Sequence, residues 1–314
     1  MKSYTSKYIK ILIALILIFS FVLQGKNIPS DEIWLIVRGD DIGLAHGANA
    51  GFIKSREDGI LSSAELMVPT PWFNEGVKIL NNHPNLEAGV HLTLTSEWSD
   101  FRWGPISPLD TSASIVDKDG YFYYRTETAE KFDKIYGDNY SFLGSDPDLE
   151  EIKTEVRYQI EKAVEKVPSI NHISCHMRAA SATPEIRKVV QEVSNQYNLV
   201  PDWLIREYGK EISLWSVPID RKEEALINKI KKMEGGNLYY LPLHPGLDTP
   251  EMENISGPAF PQDKNMSEHR AAVTKALTSE EVKDLIEKRN IKIVDHKYII
   301  QKGIISDLSK YKSK

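Results

Sequence analysis

Two adjacent aspartates, Asp40 and Asp41, close a short apolar run, Ile33-Trp34-Leu35-Ile36-Val37, and are followed by Ile42-Gly43. Carboxylates this close repel one another unless positive charge lies beside them. A divalent metal meets that need: one carboxylate ligates the ion and the other acts on the water the ion activates. The plainer alternative is an Asp-rich turn capping the next helix, because Asp favours turns and N-caps alike. Imidazoles recur in comparable settings. His91 lies in Gly89-Val90-His91-Leu92-Thr93-Leu94-Thr95, His172 and His176 lie in the apolar segment 170–176, and His244 ends the run 239–243. Singly, each has an ordinary explanation, since a lone histidine on an apolar strand is most often a satisfied core residue and His244-Pro245-Gly246 reads as a turn. His172 and His176 are an even number of residues apart, so both leave a strand on the same side. His46, His83, His269 and His296 lack a strand-end context and read as surface residues.

The elements that must position these groups alternate between strand-like and helix-like patterns. Strands are predicted over 33–37, 63–68, 87–94, 170–176, 199–204, 237–243 and 292–294. Helices are predicted over 47–58, 74–82, 149–166, 184–197, 222–234 and 280–289, with start signals at Asp146-Pro147-Asp148-Leu149, Thr183-Pro184-Glu185 and Thr278-Ser279-Glu280-Glu281. Repeated strand–helix alternation implies parallel strands joined by crossover helices. Parallel strands direct their carboxyl ends to one rim, where residues distant in sequence converge. One carboxylate and two imidazoles there, with positions left open for water and substrate, would form a standard catalytic site for a divalent ion. From 95 to 143 the chain is irregular and aromatic, with Trp98 and Trp103 candidates for a platform against sugar C–H faces. Tyr239 and Tyr240 read as core.

The 314 residues are 41% hydrophobic and 27% charged, with a formal net charge of −6. No basic block is present, which argues against nucleic acid as a partner. Lys2, Lys7 and Lys10 precede an uninterrupted apolar stretch over 11–23. A positive flank with a short apolar core reads as a signal peptide or N-terminal anchor over 1–27, leaving 28–314 as one domain outside the cytoplasm, periplasmic or extracellular. Any membrane contact would run through that segment. Cys175 is the sole cysteine, so the exported protein would rely on its core and not on a disulfide.

The ordered motifs Arg38-Gly39-Asp40-Asp41-Ile42-Gly43 with Asn49, Gly89-Val90-His91-Leu92-Thr93-Leu94-Thr95, His172-Ile173-Ser174-Cys175-His176 and Leu243-His244-Pro245-Gly246 resemble those of the YdjC-like (ChbG-type) carbohydrate deacetylases, from about 33 to 295. The resemblance implies an α/β fold, a deformed (β/α) TIM-like barrel, that removes acetyl groups from N-acetylated sugars with one divalent metal ion, Mg²⁺ or Zn²⁺. By position it implies Asp41, His91 and His176 as ligands, Asp40 as base, His244 as general acid, and Arg270 as an arginine holding the base. The chain departs from that pattern at Ser174, where an Asp is usual, at Met177 and Arg178, where histidines are usual, and at Ile42 in place of Phe. Competing functions are a non-catalytic sugar-binding or sensor protein on the same scaffold and an O-acetyl sugar esterase. A glycosidase is disfavoured because its two carboxylates must stand apart across the sugar. The implied partner is an acetylated carbohydrate, with a homodimer the one protein partner in view.

Overall fold

The predicted first strand extends to ten residues as β1 (Ile33–Ile42), buried along its whole length. In the computed structural model, which describes residues 28–137, 140–257 and 265–305, it is joined by β2 (Ser63–Leu66), β3 (Glu87–Leu92), β4 (His172–Cys175), β5 (Val200–Pro201), β6 (Lys210–Glu211), β7 (Asn237–Leu243) and β8 (Ile291–Val294). The segment 1–27, read above as a leader, lies outside the described residues. The strand order is β5-β4-β3-β2-β1-β7-β6, with β8 alongside the first half of β1. All of these pairings are parallel. Helices make the crossovers that parallel strands require, giving a half-barrel sheet ringed by helices. The fold is α/β and TIM-like, as expected. No helix among the described residues is long and apolar enough to cross a membrane.

Residues of β1 alternate between two cores. Ile33, Leu35 and Val37 join the larger one, with Phe52, Leu61 and Leu241, while Trp34 and Ile36 join a smaller one with Leu238, Val294, Ile299 and Ile300. Period-two alternation separates the faces of a strand, so the sheet is buried on both. Ile299 and Ile300 belong to a helix absent from the sequence reading, His296–Lys302. Its first backbone N–H groups, of His296 and Lys297, donate to the Glu87 carboxylate at 2.9 and 2.8 Å, as a helix N-terminus favours. His296, read as a surface residue, is fully buried here.

Several boundaries differ from expectation. The strand expected over 199–204 is only Val200–Pro201, and Trp203–Arg206 is a helical turn. β4 stops at Cys175, and His176 opens a 3₁₀ segment, His176–Ser181, in which Met177 (φ 48°) and Arg178 (φ 62°) are both left-handed. The helix Met266–Leu277, which carries Arg270, was also missed. The aromatic stretch after β3 is anchored, with Trp98, Trp103, Ile115, Phe122 and Phe142 all in the larger core. Glu155 and Gln159 of the helix Leu149–Lys166 fix its start. Glu155 accepts from Ser107 N at 2.9 Å, and Gln159 Nε2 donates to Thr93 O at 2.7 Å.

The helix His46–Glu57 lies directly against the loop that carries His244. A Cβ at Gly51 would come within 2.4 Å of Gly246 backbone atoms. Gly51→Ala is therefore expected to cost about 1–3 kcal/mol and to displace that loop. A urea midpoint indistinguishable from the parent's would mean the loop yields freely.

Candidate active site

Asp40 and Asp41 are neighbours, and in an unbroken strand they would face opposite sides of the sheet. The register with β2 shifts between Gly39 and Ile42, and Asp41 is left-handed at φ 76°. This irregularity re-aims the carboxylate, as bulges near functional sites do. Asn49 secures the turn beyond it, accepting from Gly43 N at 2.7 Å and donating to Glu75 Oε2 at 2.7 Å.

Asp41 then meets residues from four other segments. Its Oδ1 lies 3.2 Å from His176 Nδ1 and 3.4 Å from His91 Nε2. Its Oδ2 takes a 2.6 Å contact from Arg270 and lies 3.9 Å from His244 Nε2. Burial would lift the Asp41 carboxyl, but Arg270, His244 and the two other imidazoles hold it well below the usual carboxylate range. One ligand atom from each of Asp41, His91 and His176 lies within 4.8 Å of the others. The far nitrogens are engaged: His91 Nδ1 sits 2.7 Å from Ser174 Oγ, and His176 Nε2 sits 2.9 Å from Glu97 Oε2. Burial alone would push His176 down; Glu97 and Asp41 raise it to about 10.

These residues fit a divalent cation. Asp41 Oδ1 is buried without a hydrogen-bond partner and faces two imidazole nitrogens whose far sides are already occupied. One carboxylate and two imidazoles suit Zn²⁺, Mn²⁺, Co²⁺ or Mg²⁺, and outer partners of this kind orient ligating histidines.

Asp40 is bound differently from expectation. Arg38 contacts both its oxygens, Nε to Oδ1 at 2.6 Å and Nη2 to Oδ2 at 2.7 Å, and also reaches Asp202 Oδ2 at 2.5 Å and Tyr240 Oη at 3.0 Å. The arginine expected to hold the base, Arg270, instead pairs with Asp41, because the helix Met266–Leu277 approaches from the Asp41 side. Tyr240 belongs to the core as expected, yet its hydroxyl serves this polar network.

Asp40, Asp41, His91, His176, His244 and Arg270 all line one cleft of about 460 Å³. His244 is partly exposed there; its desolvated position, with Arg270 nearby, holds it down to about 4 against the pull of Asp41. Of the two tryptophans proposed as a sugar platform, Trp98 lines the cleft but is 2% exposed. Trp103 is buried, donating Nε1–H to Thr95 O at 2.9 Å and packing edge-on against His176. The exposed aromatic in the cleft is Trp215, 48% accessible, its ring 5.3 Å from that of His244. His269, read as a surface residue, also lines the cleft.

Glu97, Arg38, Asp202 and Trp215 escaped assignment from sequence. Arg38 carried a usable signal, since a charge two residues before Asp40 on the same strand shares its face. Glu97 and Trp215 lie in irregular segments where no periodicity marks orientation.

A TIM-like α/β barrel with a carboxylate–imidazole cluster at the carboxyl rim of its strands defines the class of protein. The pattern of the YdjC-like protein family matches residues 34–288, and the chain belongs to that family. A carbohydrate deacetylase of Thermoanaerobacter pseudethanolicus is 26% identical over 84% of this chain and 98% of its own. Carbohydrate deacetylases of Enterococcus faecalis and Brevibacillus brevis are 24% and 25% identical, each over 83% of this chain. A crystal structure from Enterococcus faecalis V583, of a protein described provisionally as a cellobiose-phosphate cleavage protein, superposes with a TM-score of 0.66. It is 22% identical and matches 85% of this chain and 99% of its own.

Proposed function

We propose that this protein hydrolyses the acetamido group of N-acetylated sugars or oligosaccharides, releasing acetate. The observation that carries the reading is the Asp41, His91 and His176 cluster, with a buried and unbonded Asp41 Oδ1, in a cleft that also holds a second carboxylate and a less buried imidazole. Near full-length relatives named carbohydrate deacetylases support the substrate class.

Asp41 Oδ1, His91 Nε2 and His176 Nδ1 would hold the divalent ion, Mg²⁺ or Zn²⁺. Bound there, such an ion supplies Lewis acidity toward the acetyl oxygen and lowers the pKa of water. Each remaining task falls to a side chain. Asp40 accepts the proton of the attacking water. Arg38 fixes that carboxylate from behind while leaving each oxygen a further lone pair. Arg270 occupies Asp41 Oδ2, so that only Oδ1 is presented to the other ligands. His244 rests neutral, being held at about 4. Negative charge developing on the tetrahedral centre raises its proton affinity, so it takes up the proton that Asp40 has drawn from the water and passes that proton to the departing sugar nitrogen. Trp215 offers an exposed ring to the sugar face at the same mouth.

The deciding measurement is acetate release by purified residues 28–314 with defined metals, from a panel of N- and O-acetylated sugars. Release from amide substrates is expected. Release only from esters would establish the esterase alternative, and binding without release would establish the sensor. His91→Ala is expected to lose the metal by elemental analysis; a variant retaining one ion per chain would remove His91 from the ligand set.

A further inference from the structure

Ser174 and Glu65 are both fully buried, and Glu65 has no task in the chemistry above. Their geometry links them to a proposed ligand. Ser174, on β4, lies beside His91 in the β3–β4 register. Its hydroxyl donates to Glu65 Oε2 at 2.5 Å, and its oxygen is 2.7 Å from His91 Nδ1. A serine has one proton to give. Once that proton points at Glu65, the oxygen facing His91 can only accept, so His91 must carry its proton on Nδ1 and leave Nε2 bare toward Asp41.

The far end of the relay is pinned as well. Glu65 Oε1 accepts from His172 Nε2 at 2.7 Å and from Ser63 Oγ at 3.0 Å. His172 Nδ1 is 2.7 Å from Asn171 Oδ1, whose amide donates to Glu87 at 2.9 Å, and Glu87 accepts from His296. Burial would raise Glu65, yet His172 and Arg38 keep it strongly acidic, while Glu65 and Glu87 raise His172 to about 9 against its own burial. The carboxylate therefore stays ionised and cannot itself donate to Ser174. The polar interior of the barrel sets the direction of each hydrogen bond leading to His91.

We propose that Glu65, acting through Ser174, is a positioning residue that fixes the tautomer and ring orientation of His91 for cation binding. A carboxylate one side chain removed thus does what a carboxylate in direct contact with a ligating histidine does elsewhere. The proposal rests on the metal reading above, and its test separates the two. Zn²⁺ affinity is measured by competition titration on the full chain for the parent, Glu65→Gln, Ser174→Ala and the double variant Ser174→Asp/Glu65→Gln. Each single variant is expected to bind about 10–100-fold more weakly, and the double variant, with a carboxylate directly on His91, to recover to within about threefold of the parent. Single variants with parental affinity, or a double variant no better than Glu65→Gln, would overturn the proposal. A parent that fails to bind Zn²⁺ removes the metal reading and the proposal with it. Should the variants not fold, two-bond ¹H–¹⁵N correlation on the ¹⁵N-histidine-labelled parent still decides, with His91 assigned by difference against His91→Gln. The Nδ1–H tautomer is expected in the metal-free protein, and the Nε2–H tautomer would sink the proposal.

Discussion

Replacing Asp40 with asparagine is expected to lower the rate of acetate release by about 10²–10⁴-fold while leaving the divalent ion bound. Asparagine preserves the shape of the side chain and one oxygen acceptor, so Arg38 keeps part of its contact. What is lost is the ability to take a proton from water. The ion pair of Arg38 with Asp202 and the hydrogen bond to Tyr240 remain, so the fold around the site should survive. Two readings are needed: stoichiometric metal and a near-parental melting temperature, alongside the collapse in kcat. A variant that turns over within threefold of the parent would strip Asp40 of the base role. Loss of metal together with activity would mean that Asp40 supports the ligands instead.

Arg38→Met is expected to be among the most damaging single changes for stability. Arg38 is 3% exposed and stands among Asp40, Asp202 and Tyr240. Its burial opposes the charge, but Asp40, Tyr240 and Asp202 overcome that and hold the guanidinium charged well beyond its ordinary range. Methionine fills a similar volume and removes the one cation among the described residues that contacts both carboxylates. Asp202 retains a weaker contact at 3.7 Å with Arg206, and Asp40 keeps none among the described residues. Breaking one side of a buried ion pair typically costs about 3–5 kcal/mol. Equilibrium urea unfolding at neutral pH checks this; a loss below about 1 kcal/mol would contradict the buried-pair account.

Much of the architecture was legible along the chain. β1 opens on a short, β-branched apolar run and β7 is a short run of leucines and tyrosines, and the helices Leu149–Lys166, Pro184–Gln196 and Glu280–Lys288 start at Asp148, Thr183 and Ser279, each of whose side chains accepts from the first turn. These are local signals, written within a few residues of where they act. The helices Met266–Leu277 and His296–Lys302 escaped because their buried faces are polar or mixed. Arg270, Thr274 and His296 are packed inward with the apolar residues, and a charged or imidazole side chain reads from sequence as a surface residue. The same bias hid Glu65, Glu87 and Asp202.

By itself, then, the sequence determined the alternation of strands and helices, the parallel sheet this implies, and the set of acids and imidazoles at strand ends from which a site would be drawn. Only the tertiary structure decided how those groups are wired. A left-handed Asp41 in an irregular strand turned its carboxylate toward two histidines. A helix approaching from one side gave Arg270 to Asp41 and left Asp40 to Arg38. Ser174 on β4, beside His91, donates its hydrogen bond to Glu65 on β2, two strands away. The physical reason is that hydrogen-bond direction and charge pairing are set by which side chains share a buried space, and that space exists only once strands distant in sequence have closed around it.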